Sequence, residues 1–149
     1  MAVKPIPDGY HSATPYLIVR GASQLIDFAK EVFGAEETFR MPGASGVIMH
    51  AEMRIGDSML MLADASGADN PPMPAMIHLY MPNVDEVYGR ALAAGASSLR
   101  EPEDQFYGDR SAGVIDALGN RWWIATHVED VSPEEMERRT AAMGQQAGS

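Results

Sequence analysis

The stretch VIMHAEMRIGDSMLMLAD, residues 47–64, decides the fold because it predicts a β-hairpin. Apolar and polar residues alternate before Gly56 and Asp57, a pair that favours a tight turn between two strands. The alternation predicts one apolar and one polar face for the first strand. The predicted apolar face consists of Met49, Ala51, Met53 and Ile55, and the polar face of His50, Glu52 and Arg54.

The residues before this hairpin predict a strand followed by a helix. Residues 14–19 form a short apolar run, and apolar residues from Leu25 to Phe33 recur with helical spacing. We expect Ser23 to cap the start of this helix and Gly34 to end it in a left-handed conformation.

The same order of elements is repeated after a linker rich in Pro, Gly and Asp, residues 64–75. Residues 76–81 predict a strand, and Asn83 with Glu86 forms a capping box for a second helix that Gly95 ends. A turn over residues 116–120 and a final strand over 121–128 complete the repeat.

The spacing between the two copies is nearly constant. Gly34 and Gly95 lie 61 positions apart, and the turn residues Gly56 and Gly119 lie 63 apart. The pattern predicts an α+β fold of two βαβββ modules, over residues 12–64 and 76–128, within one domain of residues 1–149. A capping sequence from Ser132 to Glu135 predicts a C-terminal helix over residues 132–143, and GQQAGS, residues 144–149, is expected to fray.

Composition excludes several classes of function. The 149 residues include 21 acidic and 11 basic ones, a net charge of -10, which disfavours binding to nucleic acid or anionic membranes. No apolar run approaches the roughly 20 residues of a membrane span, and the N-terminus lacks a secretory signal, so a cytoplasmic protein is expected. The absence of cysteine excludes thiolate metal ligands and a cysteine nucleophile.

Several segments resemble the vicinal oxygen chelate superfamily, which includes glyoxalase I, bleomycin-resistance proteins and extradiol dioxygenases. The resemblance rests on LIDFAKEVFGAEE in the first module and on VDEVYGRALAAGA and DALGNRWWIATH in the second. HAEMRIGDSMLMLAD, QFYGDR and GNRWWIATHVEDVSPEE are most similar to its PhnB-like, glyoxalase-like branch, and the similarity extends over residues 12–138. It implies curled mixed sheets around a central cavity.

In metal-using members of this superfamily, the first and last strands of each module supply His, Gln or Glu to a divalent cation. The repeat register places these positions at Thr14, Leu60, Met76 and Trp123. None of these side chains is a credible ligand for a hard cation. The resemblance therefore implies a protein without a metal cofactor, like the members that sequester an antibiotic in an aromatic cavity.

A second hypothesis retains a divalent metal. His50, Glu52 and His78 could form a site if the register or the geometry differed, and the protein would then be a lyase, isomerase or dioxygenase. The alternative for the first two residues is a polar strand face in which Glu52 pairs with a neighbouring cation.

Strand alternation predicts which aromatic and polar residues face the cavity. These are Tyr16, His78, Tyr80 and Trp123, whereas Trp122 faces the helices as a core residue. Tyrosines and an indole on a concave wall can stack a flat ligand, but they can equally fill a small barrel.

The segment EPEDQFYGDRSAG, residues 101–113, is interpreted as a long loop at the edge of the pocket. It supplies Tyr107 and Arg110 as candidate ligand contacts. Arg110 could bind a ligand carboxylate or phosphate, or it could pair with Asp109 or Asp116 and fix the loop.

We therefore predict a metal-independent protein that binds a small molecule, sequesters it as an antibiotic or aromatic metabolite, and forms a homodimer. A scaffold whose cavity is filled by its own side chains is the remaining alternative. The linker permits pairing of modules within one chain or between two chains, and the sequence does not identify the ligand.

Overall fold

The computed structural model describes residues 2–147, which form two four-stranded sheets and three α-helices. The elements of the first module are β1 (Tyr16–Val19), α1 (Ala22–Phe33), β2 (Glu36–Pro42), β3 (Ile48–Ile55) and β4 (Ser58–Asp64). Those of the second are β5 (Met76–Tyr80), α2 (Val84–Ala93), β6 (Ser97–Asp104), β7 (Asp109–Ile115) and β8 (Arg121–His127), followed by α3 (Pro133–Ala147).

The two sheets have the same topology, which confirms the predicted α+β fold of two βαβββ modules. Their strand orders are β1-β4-β3-β2 and β5-β8-β7-β6. In each sheet the first strand is parallel to the last strand, and the remaining neighbours are antiparallel.

The segment predicted as a loop over residues 101–113 is mostly strand. β6 extends to Asp104 and β7 begins at Asp109, so the connection is only residues 105–108. The prediction was wrong because β6 is a largely exposed, polar edge strand without apolar alternation. Its pairing with β7 shifts register twice, which further hides a strand pattern.

The hairpin of β3 and β4 has the predicted turn, but its apolar face differs from the prediction at one residue. Ala51, Met53 and Ile55 are buried as expected, but Met49 is exposed and Ile48 is buried in its place. The exchange occurs where pairing with β2 shifts register, so that Pro42 lies opposite Ile48.

The start of α1 is capped by a residue at the end of β4. The sequence predicts Ser23 as the cap, and this prediction was wrong. The Asp64 carboxylate, at the end of β4, accepts hydrogen bonds from the backbone N–H groups of Gly21 (2.9 Å) and Ala22 (2.8 Å). Its second oxygen accepts one from the N–H of Ile48 (2.7 Å). Burial alone would raise the pKa of Asp64, but these three donors lower it below its usual value.

The second module places Thr126 at the equivalent position, 62 residues after Asp64. Its hydroxyl accepts a hydrogen bond from the N–H of Val84 (2.9 Å) and donates one to the carbonyl of Met81 (2.7 Å). The predicted cap is also present, since the Asn83 side chain accepts from the N–H of Glu86 (3.3 Å). Each helix start is thus fastened to the last strand of its own module.

Both modules contribute to one hydrophobic core between the sheets and the helices. Trp122 is fully buried on the helix side of β8, as predicted, and its ring centroid lies 4.8 Å from that of Phe33 in α1. The Trp122 Nε1–H donates to Asp116 (2.8 Å), and Arg90 of α2 donates to the carbonyl of Val32 (3.0 Å).

Helix α3 begins with the predicted cap, in which the Ser132 hydroxyl accepts from the N–H of Glu135 (3.1 Å). The helix continues to Ala147, so residues 144–147 are helical where fraying was expected. Residues 148 and 149 lie outside the described part of the chain. Arg139 joins α3 to the loop before β7 by donating to the carbonyl of Phe106 (2.8 Å). Within residues 2–147, no helix is long and apolar enough to cross a membrane.

We expect Asp64→Ala to lower the free energy of unfolding by about 2 kcal/mol, because three backbone N–H groups lose their shared acceptor. Urea denaturation measures the change, with Asp57→Ala in the exposed hairpin turn as the matched control. The contribution of Asp64 should be present above about pH 3.9 and should be lost as the pH falls through its lowered pKa. Equal stability of the two variants would contradict the capping role.

Candidate functional site

Each sheet has one face against the helices and one face turned away from them. We call the faces turned away the first open face, in the sheet of β1–β4, and the second open face, in the sheet of β5–β8. Tyr16, His50, Glu52 and Met61 lie on the first, whereas residues that alternate with them are buried on the other side: Leu17, Ala51, Leu60 and Leu62. The predicted central cavity is not enclosed by one chain, since separate shallow pockets of about 420 Å³ and 290 Å³ lie on the two faces.

The strand register corrects one of the positions that correspond to the superfamily's metal ligands. Tyr16 lies opposite Met61 in the first sheet, as His78 lies opposite Trp123 in the second. Met61 is therefore the counterpart of Trp123, whereas Leu60 points into the core and is 2% exposed. The last strands of the two modules are 62 residues apart, like the first strands, whereas the turn glycines Gly56 and Gly119 are 63 apart because the turn between β3 and β4 is the shorter one.

The corrected set does not fit a divalent metal ion. Thr14 offers a neutral hydroxyl, Met61 and Met76 offer thioethers, and the Trp123 indole offers no lone pair to a cation. The alternative set is not assembled within the described residues of the single chain either: His50 and Glu52 lie in the first sheet, His78 lies in the second, and the three form no metal-binding group. Among residues 2–147, no group of three His, Asp or Glu side chains could hold a metal ion.

On the first open face, three polar side chains form a chain of hydrogen bonds. The Tyr16 hydroxyl lies 2.8 Å from His50 Nδ1, and His50 Nε2 lies 2.9 Å from a Glu52 carboxylate oxygen. The polar face predicted for β3 is present, but Glu52 pairs with His50 of its own strand, and Arg54 pairs with Glu36.

The pocket of the second open face brings together three of the residues predicted to contact a ligand. It is lined by Met76, His78, Arg100, Tyr107, Ser111 and Trp123. The sequence predicts His78, Tyr107 and Trp123 as ligand contacts. It does not predict Arg100 and Ser111, because strand alternation identifies them only once residues 97–115 are recognised as two paired strands.

Arg100, Gly113 and Trp123 form a row across three neighbouring strands. A Cβ atom on Gly113 would lie 2.4 Å from the Trp123 ring, so the indole lies directly over the glycine backbone. The Arg100 guanidinium carbon is then 5.0 Å from the centre of the indole, within range of a cation–π interaction. A glycine at position 113 is what allows the indole and the guanidinium to meet.

Next to this pocket, a buried carboxylate joins a tyrosine to a histidine. Asp109 is 3% exposed, and it accepts from the Tyr80 hydroxyl (2.8 Å) while its other oxygen lies 2.8 Å from His127 Nδ1. His127 Nε2 lies 2.7 Å from Asp130. The hydrogen bond to Asp109 raises the pKa of the Tyr80 phenol, so Tyr80 is a hydrogen-bond donor at neutral pH. Tyr80 is thus on the predicted face, and its hydroxyl is held by Asp109.

Arg110 lies on the opposite side of β7 from the pocket. Its guanidinium forms two hydrogen bonds with Asp85 of α2 (2.9 and 3.0 Å) and one with Asp104 (3.2 Å). Arg110 therefore pairs with carboxylates of the protein, as one of the two predictions had it, but the carboxylates are not those of Asp109 or Asp116. The reason is alternation, because Asp109 faces the open side and the next residue must face α2.

The chain belongs to the Glyoxalase/Bleomycin resistance protein/Dioxygenase superfamily, whose family model matches residues 11–124. This confirms the superfamily indicated by the sequence. An uncharacterized protein of Mycobacterium tuberculosis is 35% identical over 141 residues, which cover 88% of this chain and 83% of that protein.

Solved structures show the same fold. TioX from Micromonospora sp. ML1 superposes with a TM-score of 0.65 and 24% identity, over 78% of this chain and 100% of TioX. A PhnB protein from Bacillus cereus, described as a putative 3-demethylubiquinone-9 3-methyltransferase, superposes with a TM-score of 0.62 and 14% identity. That match covers 78% of this chain and 99% of the PhnB protein.

We expect His127 to titrate above its ordinary pKa of 6.5, because the carboxylates of Asp109 and Asp130 stabilise the imidazolium. Carbon-detected or proton NMR of the imidazole, assigned with His127→Gln, measures the pKa. Asp109→Asn should lower it, and Asp130→Asn should lower it less. Since the folded-state pKa is raised, the stabilisation is complete below the unfolded value and is lost as the pH rises through the folded one. An unchanged pKa in Asp109→Asn would refute this account.

Proposed function

We propose that this protein is a metal-independent binder that sequesters a small aromatic metabolite or antibiotic on its second open face. The observation that supports this most strongly is Trp123. It occupies a position at which metal-using relatives place a ligand, and it instead presents an indole beside Arg100 in a pocket. A site of this composition can stack and orient a flat molecule but cannot polarise it through a chelated cation.

The pocket offers apolar groups that a ligand can pack against and polar groups that can orient it. Met76 and Trp123 supply apolar and aromatic surface, and Met76 is 68% exposed. The Tyr107 hydroxyl and the His78 ring lie at the same pocket and can orient a ligand by hydrogen bonds. The loop that holds Tyr107 is fastened by α3, since Arg139 binds the carbonyl of Phe106.

We further propose that two copies of the chain form a homodimer that covers the open faces. Large apolar side chains on these faces are exposed in the single chain: Tyr16 (46%), Phe39 (47%), Met76 (68%) and Tyr80 (63%). Exposed clusters of this kind are typical of protein interfaces. A partner sheet facing each open face would turn two shallow pockets into enclosed ones.

For the metal, we expect tag-free protein purified without chelator to contain no stoichiometric metal by elemental analysis. Zn, Ni, Mn and Fe(II) should leave its unfolding temperature unchanged, because an ion stabilises a protein only by binding the native state. Stoichiometric metal that disappears in His50→Ala or Glu52→Ala would overturn the metal-independent proposal.

For the ligand, a thermal-unfolding screen of flat aromatic compounds should find some that stabilise the wild type by several degrees. Trp123→Ala should abolish the shift, because the stacking surface is removed. Leu92→Ala, on the exposed side of α2, is the control and should behave as the wild type. A broad screen without any stabilising compound would favour a scaffold filled by its own side chains.

For the assembly, sedimentation velocity should show a dimer at micromolar concentration. Phe39→Asp should shift it to the monomer, since a charge would be buried without a partner. Val3→Asp, in the exposed N-terminal segment, is the control and should remain dimeric. A wild-type monomer at all concentrations would remove this part of the proposal.

A further inference from the structure

Arg100 differs from the other basic residues of the chain. Within residues 2–147, every Lys and Arg other than Arg20, Arg100 and Arg121 lies in an ion pair. Arg20 and Arg121 are solvent-exposed, whereas Arg100 is half-buried. In a chain with 21 acidic residues, a half-buried arginine without a carboxylate partner is unusual.

The donors of Arg100 are only partly used. One terminal nitrogen donates to the Ser111 hydroxyl, and the buried Nε–H has no acceptor among the described residues. Glu103, which lies opposite Ser111 in the register, is exposed and forms no ion pair with Arg100 in the described part of the chain. A buried N–H without an acceptor costs free energy that a ligand oxygen would recover.

Building on the proposed function, we propose that Arg100 selects ligands that bear a carboxylate on a flat aromatic ring. The guanidinium presents parallel N–H donors whose spacing matches the two oxygens of a carboxylate. The Trp123 indole, held over Gly113 with that guanidinium over its ring, supplies aromatic surface that the ligand ring contacts next to Arg100. Anion and ring are therefore recognised by adjacent parts of one pocket.

The surroundings of Arg100 stabilise its charged guanidinium although the side chain is half-buried. Contact with the indole face and the Ser111 hydroxyl stabilises the guanidinium without neutralising it. A carboxylate placed there by the protein itself would occupy the donors. The free donors and the intact charge together favour an external anion over a neutral ligand.

The test uses two probes of nearly the same shape, 2-naphthoate and 2-naphthamide, which differ in charge. We expect isothermal titration calorimetry to show at least tenfold tighter binding of 2-naphthoate to the full-length protein, a difference of about 1.4 kcal/mol. The Arg100 Nε–H resonance should shift with 2-naphthoate and not with 2-naphthamide.

Three variants assign the preference to Arg100. Arg100→Gln should bind both probes equally, with 2-naphthamide affinity retained, and Arg100→Lys should keep only part of the preference because the forked donor geometry is lost. Arg20→Gln removes the same charge outside this pocket, because Arg20 is an exposed residue of the first module, and this variant should behave as the wild type. Thermal unfolding of each variant verifies that it is folded.

The outcomes separate this inference from the proposed function. Equal affinity of the wild type for both probes, or a preference that persists in Arg100→Gln, would refute carboxylate selection and leave an aromatic binding site. If neither probe binds at any concentration tested, the result counts against the site itself and hence against both proposals.

Discussion

The fastening of each helix start to the last strand of its own module is the constraint on which the rest of the structure depends. Asp64 binds the N-terminus of α1 and the first residue of β3, and Thr126 binds the N-terminus of α2. Because both side chains lie at the ends of β4 and β8, each helix begins beside the last strand of its own sheet. The two helices then pack together over one core, and the opposite faces remain open.

The open faces are therefore where function can reside, and the two have different chemistry. The first has a hydrogen-bonded chain of Tyr16, His50 and Glu52, whose polar groups satisfy one another. On the second, Asp109 likewise engages Tyr80 and His127, but the neighbouring Arg100 keeps donors that no side chain of the described residues uses. That difference between satisfied and unsatisfied groups locates the candidate ligand site.

Small residues decide how the large ones are arranged there. Gly113 lets the Trp123 indole lie across β7, and Gly108 lets the backbone of Glu129 approach the loop that precedes β7, since a Cβ at 108 would lie 2.2 Å from its carbonyl oxygen. Without these glycines the indole and the loop would both be displaced. The site is thus shaped as much by where side chains are absent as by the residues that line it.

The sequence by itself determined the two modules, the hairpin of residues 47–64 and the inward position of Trp122, because local periodicity and repeat spacing encode them. It also placed His78, Tyr107 and Trp123 near one pocket. Only the tertiary structure decided the role of Arg100, the pairing of Arg110 with α2 and the capping by Asp64. Each depends on groups brought together from distant positions, or on the register of a polar edge strand, and neither leaves a local pattern in the chain.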